Sequence, residues 1–281
     1  LPGGNLPMNP DVSLRLHVTH SNSGFNINRE LTTDHHGAIY LYNDGDSDIA
    51  QKAGLTTSSL IFNGYNFTLN DSSNSVDSLG GWANYFYLDN GANNLSIGDN
   101  INSYGATSGT LVLKTTGTVS QSQMVYVTNL SLLGAGATYN LASVDNYLGT
   151  LPGNTGTINL LANTNFDVAG VDVTDGIAAT NVYLSSTGSV TQSKAITATN
   201  ASLTGAGGTY TFTDTGNNIG TVSGNTGTIN LTNGTNTLTV GTVNSVTGIT
   251  ATNLTLTADG LVIGQNLTGT GTVTLAPYGN T

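Results

Sequence analysis

The chain contains no cysteine. That excludes a disulfide framework, a thiolate zinc site and a cysteine nucleophile. Charge is scarce as well: 7% of the 281 residues are Asp, Glu, Lys or Arg, against about 25% in ordinary soluble proteins. What charge there is leans acidic, 16 Asp plus Glu against five Lys plus Arg. Nucleic acid needs basic side chains to displace phosphate counterions, and anionic lipid needs them too, so neither is an expected partner. No run of about 18 apolar residues is present, so no membrane-inserted helix is expected. The opening LPGGNLPMNP has neither the basic nor the apolar part of a signal peptide. Sustained helical stripes are missing throughout.

What remains is Val, Ile, Leu, Tyr and Phe alternating with Thr, Asn and Ser. Segments such as TINL, NLTL and TYTF have the period-two pattern of half-buried strands. Between them stand Gly, Asn, Asp and Ser, residues that suit turns requiring positive φ. A surface built from hydroxyls and amides replaces the usual charged one.

The chain also repeats itself. GNTGTINL at 153–160 returns at 224–231, 71 positions on. TGTVSQSQ (116–123) returns as TGSVTQSK (187–194), GAGATYNL (134–141) as GAGGTYTF (205–212), and GIAATNVYLSSTGSV (176–190) as GITATNLTLTADGLV (248–262). Gly45, Gly117, Gly188 and Gly260 mark one landmark at spacings of 72, 71 and 72. The whole of 1–281 reads as one array without a domain boundary, residues 1–36 being its diverged first coils. A finer echo, ATNVYL (179–184) against ATNASL (198–203), suggests coils of roughly 19–24 residues, three or four to a repeat. Constant register over long distances favours stacked coils over a sandwich, whose hairpin loops would drift in length. The expected fold is a single elongated parallel β-solenoid of about twelve coils, roughly 55–65 Å long. Equivalent residues of successive copies should lie in columns. Ile158, Leu160, Ile229 and Leu231 should point inward, each worth about 1.5–3 kcal/mol in burial, with Thr157 and Asn159 outward.

The cassette TGSVTQSKAITATNASLTGAGGTYTF, with the following IGTVSGNTGTINL and LTVGTVNSVTGITATNLTLTADG, resembles the repeat regions of filamentous-haemagglutinin-like exoproteins. These are large bacterial surface adhesins exported by two-partner secretion or as autotransporter-like passengers. The resemblance covers roughly residues 37–281, and GTGTVTLAPYGNT resembles the point where one repeat block gives way to the next. It implies a right-handed parallel β-helix, an extracellular or cell-surface location, and a role in adhesion or biofilm. The secretion domain that begins such proteins carries several Asn-Pro motifs, whereas only Asn9-Pro10 stands here, so an internal segment is expected.

Departures from the repeat are the places to seek a site. SLGGWANYFYLDNG (78–91) aligns to TVSGNTGTINLTNG (221–234). Phe86 and Leu88 take the inward places of Ile229 and Leu231. Tyr85 and Tyr87 replace Thr228 and Asn230 outward, and Trp82 replaces Asn225 at a turn. These three aromatics form a candidate surface for stacking a glycan or a protein partner, which Tyr40, Tyr42, Tyr126 and Tyr183 could extend. Asp44, Asp46 and Asp48 alternate at another turn and are candidate Ca²⁺ ligands. The EF-hand pattern fails, because its twelfth position is Leu55, so a solvated acidic turn is the competing reading. His17, His20, His35 and His36, with Asp34, could in principle serve zinc, but His17 and His20 face opposite sides of a strand.

No catalytic set is expected. Asp167, Asp172 and Asp175 form an acidic run, and no Lys or Arg is expected near it. Lys114 and Lys194 have no carboxylate at a neighbouring repeat position, and the histidines are confined to one end. Thr pairs such as Thr209/Thr211 and Thr255/Thr257 do not return once per coil on one face, which argues against an ice-binding lattice. The expectation is therefore a non-enzymatic shaft and binding surface of a secreted bacterial adhesin, with a host or neighbouring-cell glycan or protein as partner and no cofactor beyond the Ca²⁺ candidate. The alternatives are a filament subunit that self-associates through its solenoid ends and, further off, a polysaccharide-active β-helix enzyme.

Overall fold

The structure, a computed structural model, describes residues 13–19, 25–33, 37–102 and 109–279; the side chains at 45–47 and 99–102 are not among those described. Among the described residues there is no helix. Twenty-two strands form one continuously paired sheet, and every pairing within it is parallel. Antiparallel pairing is confined to two short hairpins, Gly170–Asp175 and Thr242–Thr247. A sandwich would pair antiparallel throughout, so the fold is a β-solenoid, with about 12 turns.

One buried stripe shows how the coils stack. Tyr139 pairs with Ile158, then the register runs through Val182, Ala201, Val222, Val240 and Ile263. Alternation places these residues inward, where all but Ile263 are 0–1% exposed. Thr157 and Asn159, the polar neighbours of Ile158, face outward and are half-buried between adjacent coils.

Ile229 is not in that stripe. It belongs to a second one, Phe166–Val190–Tyr210–Ile229–Leu254–Val273. The expectation that equivalent letters of successive copies share a column is therefore wrong, although both residues lie in one core. Counting along the first stripe explains why. Val222 is three coils beyond Ile158 and Val240 is four, so a step of 71 ends between them. Each repeat contains three coils and part of a fourth, and its copy is rotated about the shaft axis. The exchange is mutual: Phe166 and Val168, on the face of the second stripe, correspond to Leu238 and Val240, on the face of the first. The two hairpins, which are copies of each other, consequently leave the shaft from different faces.

The expectation that Thr pairs do not return once per coil holds: Thr209 and Thr211 are followed by Thr228 and Asn230, then by Asn253 and Thr255. Ser189, Thr209, Thr228 and Asn253 are successive register partners, as are Thr191, Thr211, Asn230, Thr255 and Thr274. Hydroxyl and amide groups together, not Thr pairs, return once per coil on this face.

The motif GAGATY/GAGGTY makes a corner. Register shifts at Gly134/Thr138 and at Gly205/Thr209, and the strand bends there as bulged strands do. The bend turns backbone carbonyls into the core. Tyr139 OH donates to Leu113 O and Leu133 O, both at 2.7 Å, and its copy Tyr210 OH donates to Leu184 O at 3.0 Å and Thr204 O at 2.6 Å. Both tyrosines are fully buried, and that burial pushes their hydroxyls well above the ordinary tyrosine range. Buried Tyr is tolerated here because its one polar atom meets backbone carbonyls.

At the last described coil the stripes reach solvent. Ile263, Val273 and Leu275 are 44–46% exposed, continuing columns whose earlier members are buried.

Candidate functional site

The first hairpin is an arm. Gly170 pairs with Asp175 and Val171 with Thr174, and Asp172 makes the turn at φ 52°, a conformation Asp accepts better than most residues. Gly176, at φ 67°, returns the chain to the shaft, its N–H donating to Ala169 O at 3.0 Å. The arm folds back along the shaft, and Asp172 Oδ2 accepts a hydrogen bond from Tyr85 OH at 3.0 Å. Tyr85 connects to Asp167, at the arm's base, through Thr110, Asn129 and Thr150. The arm thus bridges four coil spacings, about 19 Å. Val112 and Ser131, on the outward side by alternation, are nonetheless buried beside it.

Between arm and shaft is a groove of about 490 Å³ whose lining includes Tyr87, Lys114, Leu133, Asn154, Val173 and Asp175. Its charges come in pairs. Lys114 Nζ lies 2.7 Å from Asp89 Oδ2, and Lys194 Nζ lies 3.3 Å from Asp175 Oδ2. Both pairs overturn the expectation that these lysines have no carboxylate near. Asp89 and Lys114 are direct register partners 25 residues apart, and Asp175, two residues before Ile177, lies beside Lys194, two before its partner Ile196. The acidic run does not act as a unit either. Asp167 accepts from Thr191 Oγ1 at 2.6 Å and Ser193 Oγ at 2.7 Å, while Asp172 serves Tyr85.

Asp89 is the buried member of its pair, 5% exposed at the side chain against 46% for Lys114. Its other oxygen, Oδ1, accepts the Gly91 N–H at 3.0 Å. The hydrogen bond to Asp89 raises the Lys114 ammonium above the usual lysine value, outweighing its partial desolvation. Lys114→Met, which keeps the aliphatic stem and removes the charge, should destabilise the fold by about 1–3 kcal/mol, because a buried carboxylate is left with one partner. Urea unfolding at neutral pH measures this. A lysine raised in the folded state contributes fully below its unfolded pKa, and the contribution disappears as pH rises through the folded value. The difference between wild type and variant should therefore shrink in strong alkali, where Lys114 loses its proton.

Tyr85 and Tyr87 do project from one strand onto one face, as expected, and both are half-buried. Burial first, and the Asp172 carboxylate second, drive the Tyr85 hydroxyl far above its ordinary range; burial also raises Tyr87, against a smaller opposing effect of Lys114. Trp82 does not join them. It lies at a bend within the continuous strand Ser75–Asp89, not in a turn, and meets Tyr65 edge-on at 6.5 Å. The bend beside Gly81, at φ 138°, turns this part of the strand away from the Tyr85–Tyr87 face. Its buried indole Nε1 has no hydrogen-bond partner.

The other sequence candidates are dispersed. Tyr40 and Tyr42 stack at 6.4 Å near the first described coil, with Arg15 5.0 Å over Tyr40 and His17 edge-on to Tyr42 at 5.6 Å. Tyr126 and Tyr147 meet at 5.6 Å. Tyr183 faces outward between Asn159 and Ser202. Asp44 is engaged by His17, Nε2 to Oδ2 at 2.6 Å, and Asp48 is exposed. The Asp46 side chain and all of His20, Asp34, His35 and His36 lie outside the described residues. Among the described residues no group of three His, Cys, Asp or Glu is placed to hold a metal ion.

The second arm acts as an internal control. It carries Asn244 and Thr247 where the first has Asp172 and Asp175, and it lies flat: Ser223 Oγ donates to Val243 O at 3.2 Å. Tyr87 likewise replaces a residue that is Asn230 two repeats on. The departures Tyr85, Tyr87, Lys114, Asp172, Asp175 and Lys194 are spread over 110 residues of sequence and gather around one groove: Tyr87, Lys114 and Asp175 line it, Tyr85 holds Asp172 at the arm's turn, and Lys194 holds Asp175. Sequence reasoning found the two tyrosines and missed their partners. The signal was present as charge at arm positions whose copies are neutral. No protein family model matches this chain, and neither does any curated protein or solved structure.

Proposed function

We propose that this chain is the shaft and a lateral binding surface of a secreted bacterial adhesin, mediating attachment to cells or matrix without catalysis. The observation that carries this reading is the convergence of the non-repeat side chains on one groove along an otherwise uniform stack of coils. A stack in which each coil is bonded to its neighbours resists bending and holds a side-mounted site away from its point of attachment. The groove's carboxylates support binding better than catalysis, since Asp89 and Asp175 are each held by a lysine and Asp172 by Tyr85. A low-charge, hydroxyl-rich surface without cysteine suits an extracellular setting.

Beads coated with the purified chain should attach to cultured cells, extracellular matrix or biofilm above the level of beads coated with an inert protein. Equal attachment of both kinds would remove the adhesin reading. A second reading is a subunit stacking end to end, because an unpaired parallel strand edge of a stack of coils templates another coil. Negative-stain images separate the two: single rods of roughly 55–65 Å for a shaft, long fibres of the same width for a filament.

A further inference from the structure

We propose that the groove beneath the first arm binds a neutral, N-acetylated oligosaccharide; this names the ligand of the adhesin reading above and rests on it. The volume is within the range of about 300–1,000 Å³ typical of small-ligand sites. Charge selects the class. Of the two charged groups in the lining, Lys114 is balanced by Asp89 and Asp175 by Lys194, so an anionic sugar or a cationic ligand would each have to displace a partner already in place. A neutral polyol faces neither penalty.

The polar atoms suit hydroxyl groups. Asp175 is 69% exposed and offers acceptor positions beyond its lysine, Lys114 has donors beyond the one facing Asp89, and the exposed Asn154 supplies both kinds. Tyr87 presents a half-buried ring on which the apolar face of a pyranose can rest. Apart from the Thr174 hydroxyl and two glycines, the remaining wall, Leu133, Ala135, Val173 and Ala178, is apolar and small-featured. It fits the methyl of an acetamido group better than another hydroxyl, which would lose its water there without a partner. Val173 is 97% exposed at the arm's tip, an apolar surface that a ligand in the groove would partly cover.

The experiment is calorimetric titration of the intact chain with N,N′,N″-triacetylchitotriose, with cellotriose and with a sialylated trisaccharide, alongside the Tyr87→Ala, Asp175→Asn and Tyr183→Ala variants. Circular dichroism confirms that each variant is folded. Triacetylchitotriose should bind more tightly than cellotriose. Tyr87→Ala and Asp175→Asn should each weaken it at least tenfold, and Tyr183→Ala, on a different stripe, should change it less than twofold. The proposal is overturned by undetectable chitotriose binding at millimolar concentration, by preference for the sialylated sugar or for cellotriose, or by affinity unchanged in both groove variants. Bead attachment distinguishes the two levels. Attachment that survives the groove variants leaves the adhesin reading standing without this site, whereas chitotriose binding by beads that never attach leaves the site without the adhesin.

Discussion

Gly205→Ala should cost about 3–5 kcal/mol, while Gly207→Ala, two residues along the same corner, should cost about 1–2 kcal/mol. Both glycines have positive φ, 121° and 74°, so both variants incur backbone strain. They differ in what lies beyond. A Cβ on Gly205 would fall on the Ser186 carbonyl of the preceding coil, whereas one on Gly207 meets nothing within 4 Å. Ser186 cannot yield cheaply, because its hydroxyl accepts the Gly188 N–H at 3.0 Å and donates to Thr164 O at 3.1 Å. The coil spacing itself opposes the added methyl. Since a stack of coils unfolds in segments, hydrogen exchange is the right measurement: protection should fall in coils either side of residue 205 and persist far from it. Equal losses for the two variants would mean that conformational preference, not coil contact, makes the corner glycine.

The architecture was legible because stacking imposes a rule that sequence can display. A strand that must lie on its predecessor tolerates few insertions, so GNTGTINL and GAGATY recur at nearly constant spacing. What the repeat could not display was phase. Alignment treats a 71-residue copy as the same place, yet Ile158 and Ile229 sit on different stripes, since no whole number of coils fits the repeat. Inferences that transferred a face from copy to copy suffered from this: the columns and the absence of a carboxylate beside Lys114. Inward or outward direction survived, because rotation about the axis preserves it. Phe86 and Leu88 are buried where Ile229 and Leu231 are buried.

The site was legible only in part. Tyr85 and Tyr87 stood out as bulky residues at polar positions. Their partners sit on an arm whose reach depends on folding back over four coils, and nothing local in GVDVTDG states that direction. Trp82 was misplaced for a related reason. The bend at Gly81 redirects the strand between Trp82 and Tyr85, so three residues close in sequence do not share a face.

Asn146→Ala should rank with the most damaging single changes, at about 3–5 kcal/mol. The Asn146 side chain is wholly buried and ties three parts of the chain together. Oδ1 accepts from Val125 N–H and Gln121 Nε2, both at 2.9 Å. Nδ2 donates to Gln121 Oε1 at 3.1 Å, Leu141 O at 2.9 Å and Leu161 O at 3.0 Å. The same reciprocal amide pair recurs as Gln51 with Asn74 and Gln192 with Asn217, which makes it a repeated internal brace. Alanine would strand Val125 N–H and several carbonyls, and Gln121→Leu in the same chain would not restore them. A double-mutant cycle should return a Gln121–Asn146 coupling of about 1–2 kcal/mol, well short of the whole loss. Asn146→Asp tests the mechanism more sharply. An ionised carboxylate cannot donate to Leu141 O or Leu161 O and would repel both, so burial should raise its pKa above the unfolded value of about 3.9. The folded state then binds the proton more tightly than the unfolded one. Stability of this variant should be greatest below about pH 4 and should decline as pH rises through the raised folded value. Urea midpoints across acid and neutral pH measure it. A variant as stable at neutral pH as in acid would show that Asn146 accepts but does not need to donate, and the brace would then rest on Val125 alone.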